Sequence, residues 1–518
     1  MRVFVLVLLT SYAFSAAAAD WPQFGYDQAH SGYNSAENGY STATGNTLLR
    51  HYGLPSAADS APIYLSDVVT ATGTRNVLFV VTKNGTLLAL DAGSATLNLL
   101  WSKQPTGGGT LTTGSPVTDP NRQYVYAYGH DGKVHKYQVG DGSEITTTCV
   151  ANSYDCWPEV STLKPGVEKS ASALAIATSG GTNYLYSVMD GYIGDAGDYQ
   201  GHITTINVGS SAQKVFNTLC SNKTVGHFDA SGSASANDCS SQRNGIWGRP
   251  GAIYDAGTNR VFIATGNGQY APASFNWGDS VLALNADGSG GSNGNPVDSY
   301  TPSTFANLQG TDADLGSASL ALVPAPAGST YTHLGVIAGK DDCVRLIRLD
   351  DMSGQGGPGH SGGSLQSQRL DANVSTTNCD DTNAGGGADG GSSGEIRAQP
   401  AVWVNPADAS TWVYISNRGG TLAAYQVTLS GGLPSLTQRW TAAAGTSPIV
   451  ANGTLYYLTG SKLTALDSVS GALIWQSGAL GGIHWQSPIV VSGRIYVIDN
   501  TSQLWVFALD GIFRNGFQ

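Results

Sequence analysis

The chain has 518 residues, and 25 Lys and Arg against 37 Asp and Glu give it a formal charge of −12 at pH 7. So few cations cannot neutralise a phosphate backbone, which excludes an electrostatically driven nucleic-acid binder. Gly supplies 68 residues and charged residues only 12%, and because Gly disfavours helix interiors while the helix formers Lys, Glu and Met are scarce, the composition points to an all-β protein.

In chain order, Met1-Arg2 is followed by a largely apolar run, Val3 to Phe14, and then by Ala16 to Ala19 before Asp20. A short apolar run with a small-residue site reads as a cleavable secretory signal over 1–19. The mature chain, 20–518, is expected to be one domain, periplasmic or secreted. No second apolar run of membrane length follows and no Cys stands at the cleavage point, so no integral membrane span is expected.

The apolar segment Leu48 to Leu54 comes next, followed by units of alternating apolar strands separated by Gly, Asn and Asp turns. Each unit begins with a small or Pro-containing step: Ala61-Pro62, Ser115-Pro116, Ala171-Ser172, Arg249-Pro250, Ala318-Ser319, Gln399-Pro400, Ser447-Pro448 and Ser487-Pro488. Each carries a step such as Ala89-Leu90-Asp91, Ala283-Leu284-Asn285 or Ala465-Leu466-Asp467, which recurs as Ala508-Leu509-Asp510. Eight such units predict an eight-bladed β-propeller of four-stranded blades. The last unit lacks an outer strand, and Leu48 to Leu54 has the pattern to supply it, closing the ring from the N-terminus and removing exposed edges. Asp287 to Asp298, Ser353 to Ser364 and Asp380 to Gly394 fit no blade; they are Gly- and Ser-rich loops, read either as a lid over the propeller face or as solvated inserts.

The six cysteines fall as sequence neighbours, Cys149 with Cys156, Cys220 with Cys239 and Cys343 with Cys379, the pairing that short loop closure prefers among fifteen connectivities. None forms C-x-x-C or C-x-x-C-H, which argues against zinc and covalent haem.

The units combine an initial Pro, a turn such as Asn452-Gly453-Thr454, a strand such as Leu463-Thr464-Ala465-Leu466-Asp467, and Gly471-x-x-x-Trp475. This resembles the pyrroloquinoline quinone (PQQ) type of β-propeller repeat across essentially the whole mature chain. The resemblance implies two functional classes. One is the PQQ-dependent dehydrogenases, which oxidise an alcohol or sugar hydroxyl with PQQ and a Ca or lanthanide ion and pass electrons to an external acceptor. The other is non-catalytic scaffolds such as the BamB component of outer-membrane barrel assembly, which implies polypeptide or polysaccharide as the partner.

The stretch Ile246-Trp247-Gly248 with Thr265-Gly266-Asn267 is similar to the dehydrogenases' Trp-containing strand and their Asn turn, which implies Trp247 under the quinone plane and Asn267 as a metal ligand. Lys340, in Gly339-Lys340-Asp341-Asp342, stands where those enzymes place a cation at the quinone carbonyl. Asp314, or Asp312 as the alternative, stands where they place the catalytic base. Asp190 to His202 contains no Glu where the family has its metal-binding one, and offers Asp195 or Asp198 instead. His484-Trp485 is a further pair that could line the face or simply pack.

Overall fold

The computed structural model describes residues 20–37, 46–149, 154–193, 195–223, 225–228, 239–370, 379 and 394–509. The expected signal segment 1–19 and most of the Asp380 to Gly394 loop lie outside the described residues.

The chain folds as the expected all-β, eight-bladed propeller. Blade one is an antiparallel meander of Ile63–Thr70, Gly73–Val81, Leu87–Asp91 and Leu99–Lys103. The innermost strands of the other blades are Val117–Thr118, Ala175–Ser179, Ile253–Asp255, Ala321–Pro324, Ala401–Val404, Ile449–Ala451 and Ile489–Val491. Every one begins just after a small or Pro-containing step. Burial follows strand position: Leu87–Asp91 is buried throughout, packed between blades, while the outer strand Leu99–Lys103 buries only Trp101. The central apolar run and the alternating outer run in the sequence are these two environments.

The repeated Gly and Trp have a joint explanation. The Trp101 indole donates to the Val139 carbonyl at 3.1 Å, and Trp440 donates to that of Ser468 at 3.2 Å, so each ties an outer strand to the following blade. Gly142 and Gly471 lie under these indoles at φ 70° and 72°, where a Cβ would meet the ring at 2.6 Å. Only Gly supplies both that backbone and that approach.

The ring closes as expected. Asn46–Gly53 pairs antiparallel with Gln503–Leu509, setting Leu48 opposite Phe507 and Gly53 opposite Gln503. Residues 20–37 add a feature with no sequence signal: they run across the inner strands and plug the axis. Trp21 bridges Tyr64, Thr118 donates to the Pro22 carbonyl, and Ile176 donates to Gln23. Further along, Tyr254 and Val402 donate to the Gln28 and Ser31 carbonyls, and Tyr33–Asn34 pairs with Val450 and Ala451. Trp21 and Phe24 are buried in this plug.

The described inserts form no lid. Residues 287–298 pack against blade three, with Gly288 and Gly290 close to Thr205 and Phe216. Residues 353–364 lie against blade four, where Gly359 donates to Ser299. The three disulfides join Cys149 to Cys156, Cys220 to Cys239 and Cys343 to Cys379, a chemistry suited to an oxidising compartment. Among the described residues no helix is long and apolar enough to cross a membrane.

Candidate functional site

The loops that enter the innermost strands and the turns between second and third strands meet at one end of the axis, around a cavity of about 510 Å³. Trp247, Asp195, Asp312, Asp314 and Lys340 all line it. Lys340 Nζ is ion-paired with Asp314 Oδ2 and lies 3.4 Å from Asp312 Oδ2. Asn267 joins them from the blade-four turn: its backbone N–H donates to Asp314 Oδ1 at 2.5 Å and its Nδ2 to Asp312 Oδ1 at 2.7 Å.

Local structure explains this convergence. The short helix Phe305–Thr311 ends on Asp312, whose left-handed backbone at φ 57° turns the chain so that two acids separated by one residue both reach Lys340. Gly266 lets the next turn approach, since a Cβ there would meet Asp314 Oδ1 at 2.4 Å and the Trp247 ring at 2.7 Å.

Burial raises the Asp314 carboxyl above the usual carboxylate range against the pull of Lys340. Burial alone would lower the Lys340 ammonium, but Asp314 and Asp312 outweigh it and hold it above the ordinary lysine value. Behind them Asp279 is pushed well up by burial and by Asp314; its Oδ1 accepts from the Leu315 N–H at 3.1 Å and its Oδ2 is buried without a partner. The Trp247 Nε1 and Asn267 Oδ1 are likewise buried without partners, so a ligand offering an acceptor and a donor would satisfy both.

The residues expected to hold a metal are not assembled. Asp198 faces Lys164, with its Oδ2 3.4 Å and its carbonyl 2.6 Å from Nζ. Asp195 accepts from the Tyr199 hydroxyl at 2.7 Å and faces Arg243 at 3.9 Å. Asp312 and Asp314 are committed to Lys340. Among the described residues no three His, Cys, Asp or Glu gather as a metal cluster. The donor set therefore does not fit a Ca-like ion, which prefers six or more oxygens.

A lysine was missed by the sequence reading. Glu168–Lys169 pairs across Asp190 and Gly191, and Lys169 Nζ is ion-paired with the fully buried Asp190 while standing 5.1 Å from the centre of the Trp247 ring. Lys83, Arg249 and Arg397 also line the cavity. His484-Trp485 does line the face: His484 Nδ1 lies 2.9 Å from Asp59 Oδ2, which also holds Lys83 at 2.9 Å.

A family model described as outer membrane protein assembly factor BamB, built on PQQ-type repeats, matches residues 40–154 and 434–512. Those two stretches, at either end of the propeller, are similar to PQQ-type repeats. No curated protein matches the chain in sequence. Solved structures that share this propeller fold include a quinohemoprotein alcohol dehydrogenase from Pseudomonas putida, with TM-score 0.63 and 13% identity over 96% of this chain and 81% of that one. Another, from Comamonas testosteroni, has TM-score 0.62 and 14% identity over 98% and 83%. A europium-containing methanol dehydrogenase has TM-score 0.62 and 13% identity over 95% and 98%.

Proposed function

We propose that the PQQ-type propeller is an oxidoreductase acting on an alcohol or sugar hydroxyl, with PQQ on the Trp247 floor of the axial cavity and an external electron acceptor. The observation that carries this reading is the Asp312–Lys340–Asp314 cluster beside Trp247. Trp247 offers a flat aromatic face, and Lys169 and Lys83 offer charge to carboxylates. When bound, PQQ would supply a two-electron acceptor.

The chain's own residues do the rest. Asp314, or Asp312, accepts the proton of the substrate hydroxyl, and burial of Asp314 makes it a stronger base than an exposed carboxylate. Lys340 Nζ offers N–H groups to negative charge developing on an oxygen in the cavity. Asn267 fixes both carboxylates through its backbone and side-chain N–H groups. No calcium or lanthanide is assigned a part.

The test is titration of purified protein with PQQ, read by Trp fluorescence, followed by dye-linked oxidation over an alcohol and sugar panel. Saturable binding and turnover support the reading; absence of PQQ binding overturns it. The match to the BamB-described model favours a second reading, a propeller that binds polypeptide or polysaccharide and uses no cofactor, and that outcome would return it to the front.

A further inference from the structure

A second cavity, of about 370 Å³, adjoins the first: Arg249, Arg397, His484 and Trp485 line both, and Arg418 completes the wall. Three guanidinium groups thus face one space whose lining contains no carboxylate, in a chain of formal charge −12.

The carboxylates behind this wall do not neutralise it. Arg397 is ion-paired with the buried Glu395, and Arg418 lies 3.6 Å from the same group, so one carboxylate faces two guanidiniums. Asp59 is held by Lys83 and His484. Asp342 Oδ1 accepts from Asn417 Nδ2 at 3.5 Å. Arg249, 6% exposed, donates to the backbone carbonyls of Asp59 and Thr113, and its Nε is buried without a partner, as is that of Arg397. Burial pushes Arg249 down to about 10, which still leaves it charged at neutral pH. Asp59, the carboxylate that acts on Arg249, is shared with Lys83 and His484, and a guanidinium fork matches a carboxylate geometrically. Trp485 adds a flat apolar wall, with the Arg397 guanidinium 5.6 Å from its ring centre, and Asn417 and Thr446 add hydrogen-bonding groups.

We propose that Arg249, Arg397 and Arg418 form a carboxylate subsite and that its ligand is an acidic sugar of the uronate type, its carboxylate on the arginines and its ring against Trp485. Because the two cavities share Arg249, Arg397, His484 and Trp485, a hydroxyl of the same ligand is placed towards Lys340 and Asp314; that extension rests on the proposed oxidation and makes acidic sugars the substrate class.

The test measures binding of D-glucuronate, D-glucose and inorganic phosphate by calorimetry, without PQQ. Glucuronate is expected to bind at least about tenfold more tightly than glucose, and Arg418→Gln to abolish about that advantage while leaving weak glucose binding unchanged. Arg418 is half exposed, so its replacement spares the fold; Arg397→Gln, checked by circular dichroism, is the second variant. Equal binding of the two sugars, or insensitivity to both variants, overturns the subsite. Phosphate binding as tightly as glucuronate overturns its assignment to a sugar carboxylate. Since PQQ is absent, failure here leaves the oxidation reading standing, and failure of PQQ to bind leaves the subsite standing.

Discussion

Lys169 holds its ammonium against Asp190, a carboxylate with no exposed surface, on one side and the Trp247 indole on the other. The pair is fixed by two adjacent strands, Glu168–Lys169 and Thr182–Gly191, and by the Ala171 N–H, which donates to Asp190 Oδ2 at 2.9 Å. A positive charge is therefore built into the wall beside the floor of the cavity, where it needs no ion to supply it.

The first prediction concerns that charge. PQQ affinity is expected to be unchanged by Ca²⁺, La³⁺ or a chelator, while Lys169→Met weakens it by about tenfold. Removing one partner of a buried pair also destabilises the fold by about 3–5 kcal/mol, and Lys169→Met combined with Asp190→Asn should recover most of it. Fluorescence titration and denaturant unfolding of the single and double variants measure both; metal-dependent binding by the wild type would refute the first half.

The second is a pH effect. Burial, against the pull of Lys169, pushes Asp190 up to about 6. The folded state then holds this proton more tightly than the unfolded chain, so the contribution to stability is complete below about pH 4, is lost as pH rises through 6, and is flat above that. Melting temperatures between pH 4 and 7 should therefore show a component that disappears in Asp190→Asn.

The third separates chemistry from binding. Asp314→Asn keeps the shape of the site and leaves Lys340 with Asp312, so PQQ binding should persist while the oxidation rate falls by about a hundredfold or more. Asp312→Asn is the companion. Whichever variant loses the rate at unchanged affinity identifies the base, and equal activity in both would remove the carboxylates from the mechanism.

The fourth concerns closure. Deleting residues 46–53 uncovers the hydrogen-bonding edge of Gln503–Leu509, and the truncated protein is expected to melt lower and to self-associate. Size-exclusion chromatography and thermal melting against the full chain test this.

The fold was legible because repetition is robust: each Pro-containing step lands just before an innermost strand, and Leu48 to Leu54 falls on the closing strand. The order of Trp247, Asp312, Asp314 and Lys340 along the repeats pointed to residues that line one cavity, and Asn267 is bonded to both carboxylates. Asp198 misled because counting residues along a loop does not reveal which way a carboxylate turns, and Lys164 captures it. Lys169 was hidden by its setting in a two-residue strand, with its partner 21 residues away. Arg397 and Arg418 carry no motif; they matter only because blade six brings both to the axis. The polar N-terminal segment had no periodicity to mark it, although Trp21 and Phe24 are aromatic residues placed ahead of the first blade.

The axial plug and the closing strand together mean that residues 20–37 and 46–53 find their partners in segments as distant as Val490 and Gln503–Leu509. During synthesis the first blades can form in order, but the closing strand at 46–53, made early, has no Gln503–Leu509 to pair with until nearly the whole chain has emerged. The most demanding loop closure is thus deferred to the last event of folding, and a ribosome stalled in blade seven would release an open ring whose first strand has nothing to hold.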